Sequence, residues 1–483
     1  MTLELAVDPR ILEVARQIRQ AGGRALLVGG IVRDHLLGID SKDYDLEVFG
    51  LSPERLEAVL KGFGEVIAIG RAFGVLRLKG LEADFSLPRR DSKTGRGHRG
   101  FLVEVDPALD FREAARRRDL TVNSLGFDPL TGELLDPWGG LEDLRQGRLR
   151  ATDPAHFAED TLRGLRVAQF AARFPLRADA ELEGLCRGLD LSDLPGERIL
   201  EELKKLLVKG ERPSLGFELL QRTDLLRFFP ELAAMVGVEQ DPVWHPEGTV
   251  WEHTLLVLDE AVAQKSENAA ENLALMWGAL LHDVGKPATT FRDGERVRSP
   301  GHEEAGVPLT EALLQRLRAP QALLAQVVAL VRFHLAPAQF PAGGAKDKAY
   351  RRLARRLAEA GIDHHLLMRL ARADHFGRTT PDALAREFPD GDAFLERMNL
   401  LGAGDEAVRD VVLGRHLIQR GWQPGPRFGP VLQACRDLQD ETGWTDAEQI
   451  LDRVLADHGA AEADLSPIED GELAGGDSGV RDL

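Results

Sequence analysis

The chain has 483 residues, 43% hydrophobic and 29% charged, with a formal net charge of −18. This length accommodates about three domains. The charge excludes a protein that coats nucleic acid non-specifically, although a local basic path remains open to it. Two isolated cysteines, Cys186 and Cys435, argue against a disulfide framework or a cysteine zinc site and fit a reducing cytoplasm. The expectation is a cytoplasmic protein with no membrane partner, because no run of about 18 apolar residues is evident and the acidic first residues do not read as a signal peptide.

Residues 9–21 have the spacing of an amphipathic helix. Residues 25–28, Ala-Leu-Leu-Val, read as a buried strand, followed by Gly29-Gly30 and a helix over 31–37. A glycine turn that opens a helix lets backbone N–H groups approach a phosphate. The next strand, 43–49, carries Asp43 and Asp45 two apart and therefore on one face. Two adjacent carboxylates repel unless a cation lies between them, and Mg²⁺ takes such a pair together with phosphate oxygens. Two such ions can activate an attacking hydroxyl and stabilise the leaving oxygen. Each piece alone also reads as an ordinary turn and a solvated strand edge.

A helix over 52–62 should be capped by Ser52, with Pro53 in its first turn. Strand-like runs follow at 65–68 and 74–78. Residues 83–87 alternate like a strand, so Asp84 is either a third carboxylate beside Asp43 and Asp45 or a surface group. Residues 89–101 combine glycine with basic side chains and read as a phosphate-seeking or merely solvated loop. Residues 116–125 run from three arginines into a predicted helix. Arg118 suits bidentate phosphate binding, and Asp119 and Asn123, four apart, could grip a ribose. Residues 135–144 read as strand end, tight turn and helix start.

Glu159, Arg163 and Arg166 have i, i+4, i+7 spacing, and Asp160 and Arg163 are three apart. Such residues form an intrahelical salt bridge, or read a Watson–Crick edge, with the carboxylate accepting and the guanidinium donating. A further helix is predicted over 195–207. A second chemical site follows. His282-Asp283 ends an almost wholly apolar stretch, where polar groups need partners. His253, His302, His334 and Asp374 lie on either side of it in the chain.

In this order and spacing, from about residue 22 to 455, these motifs resemble the class II bacterial CCA-adding enzyme and poly(A) polymerase family, with an HD-type phosphohydrolase domain. The resemblance implies an α+β chain: a small mixed-sheet nucleotidyltransferase head (1–150), a helical neck (151–235), an HD domain (236–400), a C-terminal helical region (401–458) and a disordered acidic tail (459–483). It implies template-free addition of CCA to tRNA 3′ ends from CTP and ATP. Asp43, Asp45 and Asp84 would be catalytic, with Mg²⁺ on Asp43 and Asp45. Gly29, Gly30 and Arg33 would hold triphosphate, and Arg118, Asp119 and Asn123 would recognise ribose. Asp160 and Arg163 would select the base with support from Arg166, and Glu197 and Arg198 would buttress them. Ser124 stands where the family usually has Ala, and His416 where it often has Asp. His253, His282, Asp283 and Asp374 resemble an HD metal set, and His302 and His334 the extra histidines of two-metal members, with Lys286 at substrate phosphate. Such N/O ligation suits Mn²⁺, Fe, Ni²⁺ or Co²⁺. The competing expectations are a CC-only or A-only enzyme, a poly(A) polymerase, or an HD phosphatase or 2′,3′-cyclic phosphodiesterase with an RNA-binding head. Arg351, Arg352, Arg355 and Arg356 could contact a tRNA backbone or form a solvated helix face.

Overall fold

The computed structural model describes residues 5–41, 43–69, 75–93, 101–402 and 410–462. It has two compact units, residues 1–337 with 366–391 and residues 338–365 with 392–483. The expectation of an α+β chain with a mixed-sheet head and a helical remainder is met.

The first helix, Pro9–Gln20, starts where the Asp8 side chain accepts the Arg10 N–H, and it buries Ile11, Val14, Ala15 and Ile18. Nine head strands follow: β1 Arg24–Val28, β2 Tyr44–Phe49, β3 Val66–Ile69, β4 Val75–Leu78, β5 Ala83–Ser86, β6 Arg89–Lys93, β7 Phe101–Val105, β8 Gly126–Asp128 and β9 Glu133–Leu135. Seven form one sheet in the order β3-β4-β5-β2-β1-β8-β9. Only β2 and β5 pair in parallel within it, and the other contacts are antiparallel. Strand β1 is central and buried on both faces. Ala25 and Leu27 join the main head core, while Leu26 and Val28 meet Phe111 and Ala115. On β2, Leu46 and Val48 enter the main core, so alternation turns Asp45 and Glu47 to the opposite face. The helix Pro53–Lys61 is capped by Ser52 Oγ on the Arg55 N–H.

The basic stretch expected as a loop is partly a hairpin. Strands β6 and β7 pair from Arg89↔Val105 to Lys93↔Phe101, and residues 94–100 of that stretch lie outside the described residues.

Two other local expectations are corrected. Residues 119–123 form no α-helix: helix Phe111–Arg116 ends first, Leu120 is extended, and Thr121–Asn123 is a single 3₁₀ turn. Leu120 bridges to Ala151, and Leu120, Val122 and Leu125 are fully buried. Tertiary burial thus outweighs the helical spacing. The neck helix begins at Arg163 and runs to Arg173. Glu159 closes a 3₁₀ segment and Asp160 is extended, so neither shares a helical face with Arg163. The Asp160 carboxylate instead accepts the Leu162 N–H at 3.1 Å.

The HD region is built from helices Val250–Ala263, Ala269–Leu281, His302–Arg316, Gln321–Phe333 and His364–Phe376. The first starts in a capping box of Thr249 and Glu252. Among the described residues one stretch, Gln321–Ala342, is long and apolar enough to cross a membrane, contrary to the reading of the sequence. It is half buried inside the protein and carries buried His334.

In the second unit Val412, Leu417, Val431, Cys435, Ile450, Leu451 and Val454 form a separate core. Its helix Asp347–Glu359 directs Arg352 to Asp437 (2.7 Å) and Arg355 to Asp440 (2.8 Å), while Arg351 donates to the Asp440 carbonyl (3.0 Å). Three of the four arginines offered as tRNA contacts thus have internal partners. His416 does the capping there, accepting the Leu413 N–H at 3.0 Å. The tail expected from residue 459 starts later, because helix Ala447–Glu462 continues through residues 459–462, and residues 463–483 lie outside the described residues.

Candidate functional sites

The first site lies between the head sheet and the neck helix. Gly29 has φ +71°, a conformation that favours glycine, and a Cβ there would fall 2.9 Å from Arg118 Nη1. Its own N–H donates to the Leu125 carbonyl at 3.3 Å. The first N–H groups of helix Gly30–Leu36 have no intrahelical acceptor and can meet an anion.

Asp43 precedes β2, and Asp45 is its second residue. Asp45 is the register partner of Asp84 on β5. The Asp45 carboxyl is raised above its ordinary value, first by burial of the group within the concave wall, then by the neighbouring Asp84 and Asp43, with Arg118 opposing. Its side chain still opens to solvent. A carboxylate group under mutual repulsion at an open wall suits a divalent cation. Asp84 is engaged by Arg77, whose guanidinium donates to both carboxylate oxygens at 2.5 and 2.7 Å.

Glu47, two residues beyond Asp45 on the same face, was missed in the sequence although the alternation points to it. It is fully buried and accepts from Arg117 (3.0 Å) and Arg118 (3.4 Å). Burial works against its charge, but Arg118 and Arg117 outweigh burial and hold the carboxyl below its ordinary value.

Four of the expected nucleotide-binding residues form one chain of contacts. Arg33 donates to Asn123 Oδ1, Asn123 Nδ2 donates to Asp119 Oδ1 (2.9 Å), and Arg166 Nε donates to Asp119 Oδ2 (2.7 Å). Arg33 is also held by Asp34 and lies over the rings of Phe170 and Phe174 at 5.0 and 4.7 Å. Burial opposes ionisation of Asp119, but Arg166 and Asn123 bring its carboxyl down to about 2. Arg163 donates to the carbonyls of His156 (2.9 Å) and Arg117 (2.7 Å). Arg198 approaches Asp160 at 3.8 Å, whereas Glu197 turns away to Arg318 (2.7 Å), so of the two expected buttresses only Arg198 reaches this wall.

A cavity of about 1090 Å³ joins these elements. Gly29, Gly30, Arg33, Asp43, Asp45, Arg118, Asp119, Asn123, Asp160, Arg163 and Arg166 all line it, and Asp84 does not. Twelve basic side chains line it against six acidic ones, among them Arg173, Lys205 and Lys209, which the sequence reading did not single out. The local excess of positive charge inside a chain of −18 suits a polyanionic ligand.

The second site is inside the HD region. His253, His282, Asp283, His302, His334 and Asp374 are all buried. His282 and Asp283 follow helix Ala269–Leu281, and Gly285 permits the close turn behind them. A Cβ at Gly285 would lie 2.0 Å from the His302 carbonyl. Asp283 joins two ligand groups, one with His253 and His282 and one with His302 and His334. Its Oδ2 lies 3.2 Å from His282 Nε2 and its Oδ1 3.2 Å from His302 Nε2. Asp374 Oδ1 meets His253 Nε2 at 3.0 Å and Arg378 at 3.5 Å.

His302 Nε2 and His334 Nε2 face each other at 3.3 Å, while each Nδ1 is committed to a backbone carbonyl. His282 Nε2 has no hydrogen-bond partner among the described residues. Lone pairs converging on carboxylates in this way fit divalent cations. Burial opposes the charge of Asp283, but His282 and Lys286 hold its carboxyl well below the ordinary range. Burial, with His282 and His302 nearby, pushes His334 down to about 3, so its imidazole is neutral at pH 7. Lys286 Nζ lies 2.7 Å from both Asp283 Oδ2 and Gln240 Oε1.

The fold and the two sites define a nucleotidyltransferase-type head joined to an HD domain. Residues 25–150 match the poly A polymerase head domain, residues 188–236 the probable RNA and SrmB-binding site of polymerase A, and residues 250–378 the HD domain. The chain is 38% identical over 320 residues to the multifunctional CCA protein of Alkalilimnicola ehrlichii, an alignment covering 65% of this chain and 74% of that one. It is 38% identical over 305 residues to the multifunctional CCA protein of Pasteurella multocida, covering 62% and 70%. The chain belongs to the family of multifunctional CCA proteins. Its fold is similar to that of the Bacillus stearothermophilus CCA-adding enzyme in complex with CTP, with 21% identity, TM-score 0.63 and coverage of 95% and 100%. It is also similar to the Thermotoga maritima CCA-adding enzyme complexed with tRNA-CCA, with 20% identity, TM-score 0.57 and coverage of 94% and 96%.

Proposed function

We propose that this chain adds C, C and A in turn to tRNA 3′ ends from CTP and ATP, releasing pyrophosphate, as a cytoplasmic tRNA-processing enzyme. One observation carries the reading: Asp43 and Asp45 open into the same basic cavity as the Gly29–Gly30 turn and the arginines of the neck helix. Asp43 and Asp45 would hold Mg²⁺, which supplies charge neutralisation at the triphosphate and acidifies the primer hydroxyl, while Asp84 stands beside them on Arg77.

The chain's own groups position the reactants. The first N–H groups of helix Gly30–Leu36, with Arg118 and Arg117, offset the triphosphate charge. Asp119 and Asn123, stiffened by Arg33 and Arg166, present a fixed polar edge to the ribose. Arg163 spends part of its five-donor fork on three backbone carbonyls and keeps donors for a base. Asp160 supplies the acceptor. Catalysis on this reading is mainly positioning and charge stabilisation. On this reading the chain divides into a head (1–150), neck (151–235), HD domain (236–400), C-terminal helical region (401–462) and tail (463–483).

The test uses tRNA transcripts ending at the discriminator, at C and at CC, with Mg²⁺ and CTP, ATP or both, resolved at single-nucleotide length. Extension through CCA is expected. Arrest at CC with ATP present indicates a CC-only enzyme, and extension confined to the CC transcript an A-only enzyme. Long A tails on any RNA indicate a poly(A) polymerase. No extension refutes the transferase reading.

The two ligand groups that share Asp283 favour a second activity, phosphate-ester hydrolysis of phosphomonoesters or 2′,3′-cyclic phosphates. Mn²⁺, Fe, Ni²⁺ or Co²⁺ held there would supply Lewis acidity at the phosphoryl group. Lys286 would bind the phosphate. Metal-supplemented hydrolysis of 2′,3′-cyclic AMP, present in wild type and lost in Asp283→Asn, tests it.

A further inference from the structure

The four histidines of the HD cluster are not held alike. His282 Nδ1 lies 2.9 Å from the Ala279 carbonyl, His302 Nδ1 2.7 Å from that of Ser299, and His334 Nδ1 2.7 Å from that of Val331. In each case a backbone oxygen three residues earlier takes the Nδ1 proton and leaves Nε2 as the ligating atom. His253 does not use this device. It sits in the first turns of helix Val250–Ala263, where the corresponding carbonyl, that of Val250, accepts the Thr254 hydroxyl at 2.8 Å.

A side chain stands where the carbonyl would be. Glu247 Oε1 lies 2.8 Å from His253 Nδ1, out of line with the ring N–H. The same oxygen lies 2.9 Å from His245 Nδ1, and Oε2 accepts the Thr379 N–H at 3.1 Å. The Glu247 side chain is 1% exposed. A carboxylate so buried is costly unless its neighbours compensate it, and its neighbours here are the two imidazoles and the start of the segment after Asp374. On its other side, His253 Nε2 points to Asp374 Oδ1 at 3.0 Å. A metal-ligating histidine generally donates its remaining ring N–H to a carboxylate or carbonyl, which sets its tautomer and orientation.

We infer that Glu247 is the positioning residue that keeps the His253 proton on Nδ1 and turns Nε2 toward a divalent cation shared with His282, Asp283 and Asp374. This inference rests on the metal reading of the HD cluster. His245, Glu247 and His253 also lie close enough to hold an ion themselves, but in this assignment Glu247 is no ligand and acts through His253. His245 holds the carboxylate from its other flank. Neither was singled out as a site residue in the sequence, because a glutamate six residues before a histidine has no periodic relation to it.

The test titrates the full chain, stripped by chelator, with Mn²⁺ in a calorimeter. Wild type should take up two ions at the HD cluster besides any held by Asp43 and Asp45, which the Asp43→Ala, Asp45→Ala chain titrated in parallel identifies. Glu247→Ala should weaken one site about 10- to 100-fold and leave the other unchanged. His253→Ala should affect the same site. Glu247→Gln, whose side-chain carbonyl still accepts from Nδ1, should recover most of the affinity. CTP incorporation into tRNA should be equal in wild type and both Glu247 variants, which reports that the chain is folded. Wild-type affinity in Glu247→Ala overturns the inference. A third ion at the HD cluster in wild type, lost outright in both Glu247 variants, also overturns it and makes Glu247 a ligand. No Mn²⁺ uptake by wild type at the HD cluster refutes the metal reading itself, a result distinct from either.

Discussion

Asp45 and Asp84 stand opposite each other across the parallel strands β2 and β5, and Arg77 grips Asp84 through both carboxylate oxygens. Of these two carboxylates, then, Asp84 carries a counter-charge while Asp45 opens into the basic cavity. The double variant Asp43→Ala with Asp45→Ala should lower CTP incorporation by about 1,000-fold or more, the scale of losing transition-state charge stabilisation. Asp84→Asn should cost about tenfold, because Arg77 already offsets its charge. Single-turnover incorporation measures both, and a wild-type rate in the double variant removes these carboxylates from the mechanism.

The two glycines of the turn should differ. Gly29→Ala places a Cβ 2.9 Å from Arg118 Nη1 at φ +71°, ψ −124°, a backbone region almost confined to glycine, so it should destabilise the head by about 1–3 kcal/mol from backbone conformation alone and displace Arg118. Gly30→Ala meets only Arg33 Nη2 at 3.6 Å, an ordinary contact, and should leave the melting temperature unchanged. Thermal melts with KM for CTP separate the two: equal melting temperatures would refute the backbone cost at Gly29, and an unchanged KM in Gly29→Ala would refute a role for the Arg118 contact.

Asp119 should give the head and neck an acid-sensitive link. Its carboxyl lies at about 2 in the folded chain against an ordinary 3.8. A depressed folded value means stability that is full above about 4 and lost as the pH falls through about 2. For so buried a group the shift corresponds to about 2 kcal/mol. Wild type should therefore be more stable than Asp119→Asn at pH 6, with the gap narrowing between pH 4 and 2. Urea unfolding across that range checks it, and a gap independent of pH contradicts the Arg166 pairing as its source.

Metal content should separate the two HD ligand groups. Asp283 belongs to both, so Asp283→Asn should lose both ions, whereas His334→Ala should lose one. Elemental analysis after loading with Mn²⁺ reads the stoichiometry directly. Nucleotide transfer should be unaffected in either variant. One ion retained by Asp283→Asn would show that Asp283 does not bridge the groups.

Much of this arrangement was legible from local pattern. Alternation in β2 separates Asp45 from Leu46, and the run of apolar residues in β1 marks a strand buried on both faces. Ser52 before Pro53 marks a helix start. Local spacing misled where burial prevailed. Asp119 and Asn123 do touch, but through a 3₁₀ turn whose Thr121 and Val122 are buried, and Asp160 stands before the helix it was expected to share with Arg163.

By itself the sequence determined strands β1 to β5, the glycine turn and the carboxylate pair, and it singled out the HD histidines and aspartates as candidates, because these depend on residues a few positions apart or on motif order. Only the tertiary structure decided which polar groups neutralise one another. Glu47 lies 70 residues from Arg117 and Asp374 lies 121 from His253, and Glu197 turned to Arg318 rather than to the neck helix. A buried charge takes whatever partner packing brings within hydrogen-bond reach. That choice is made by the juxtaposition of distant segments, which no local periodicity records.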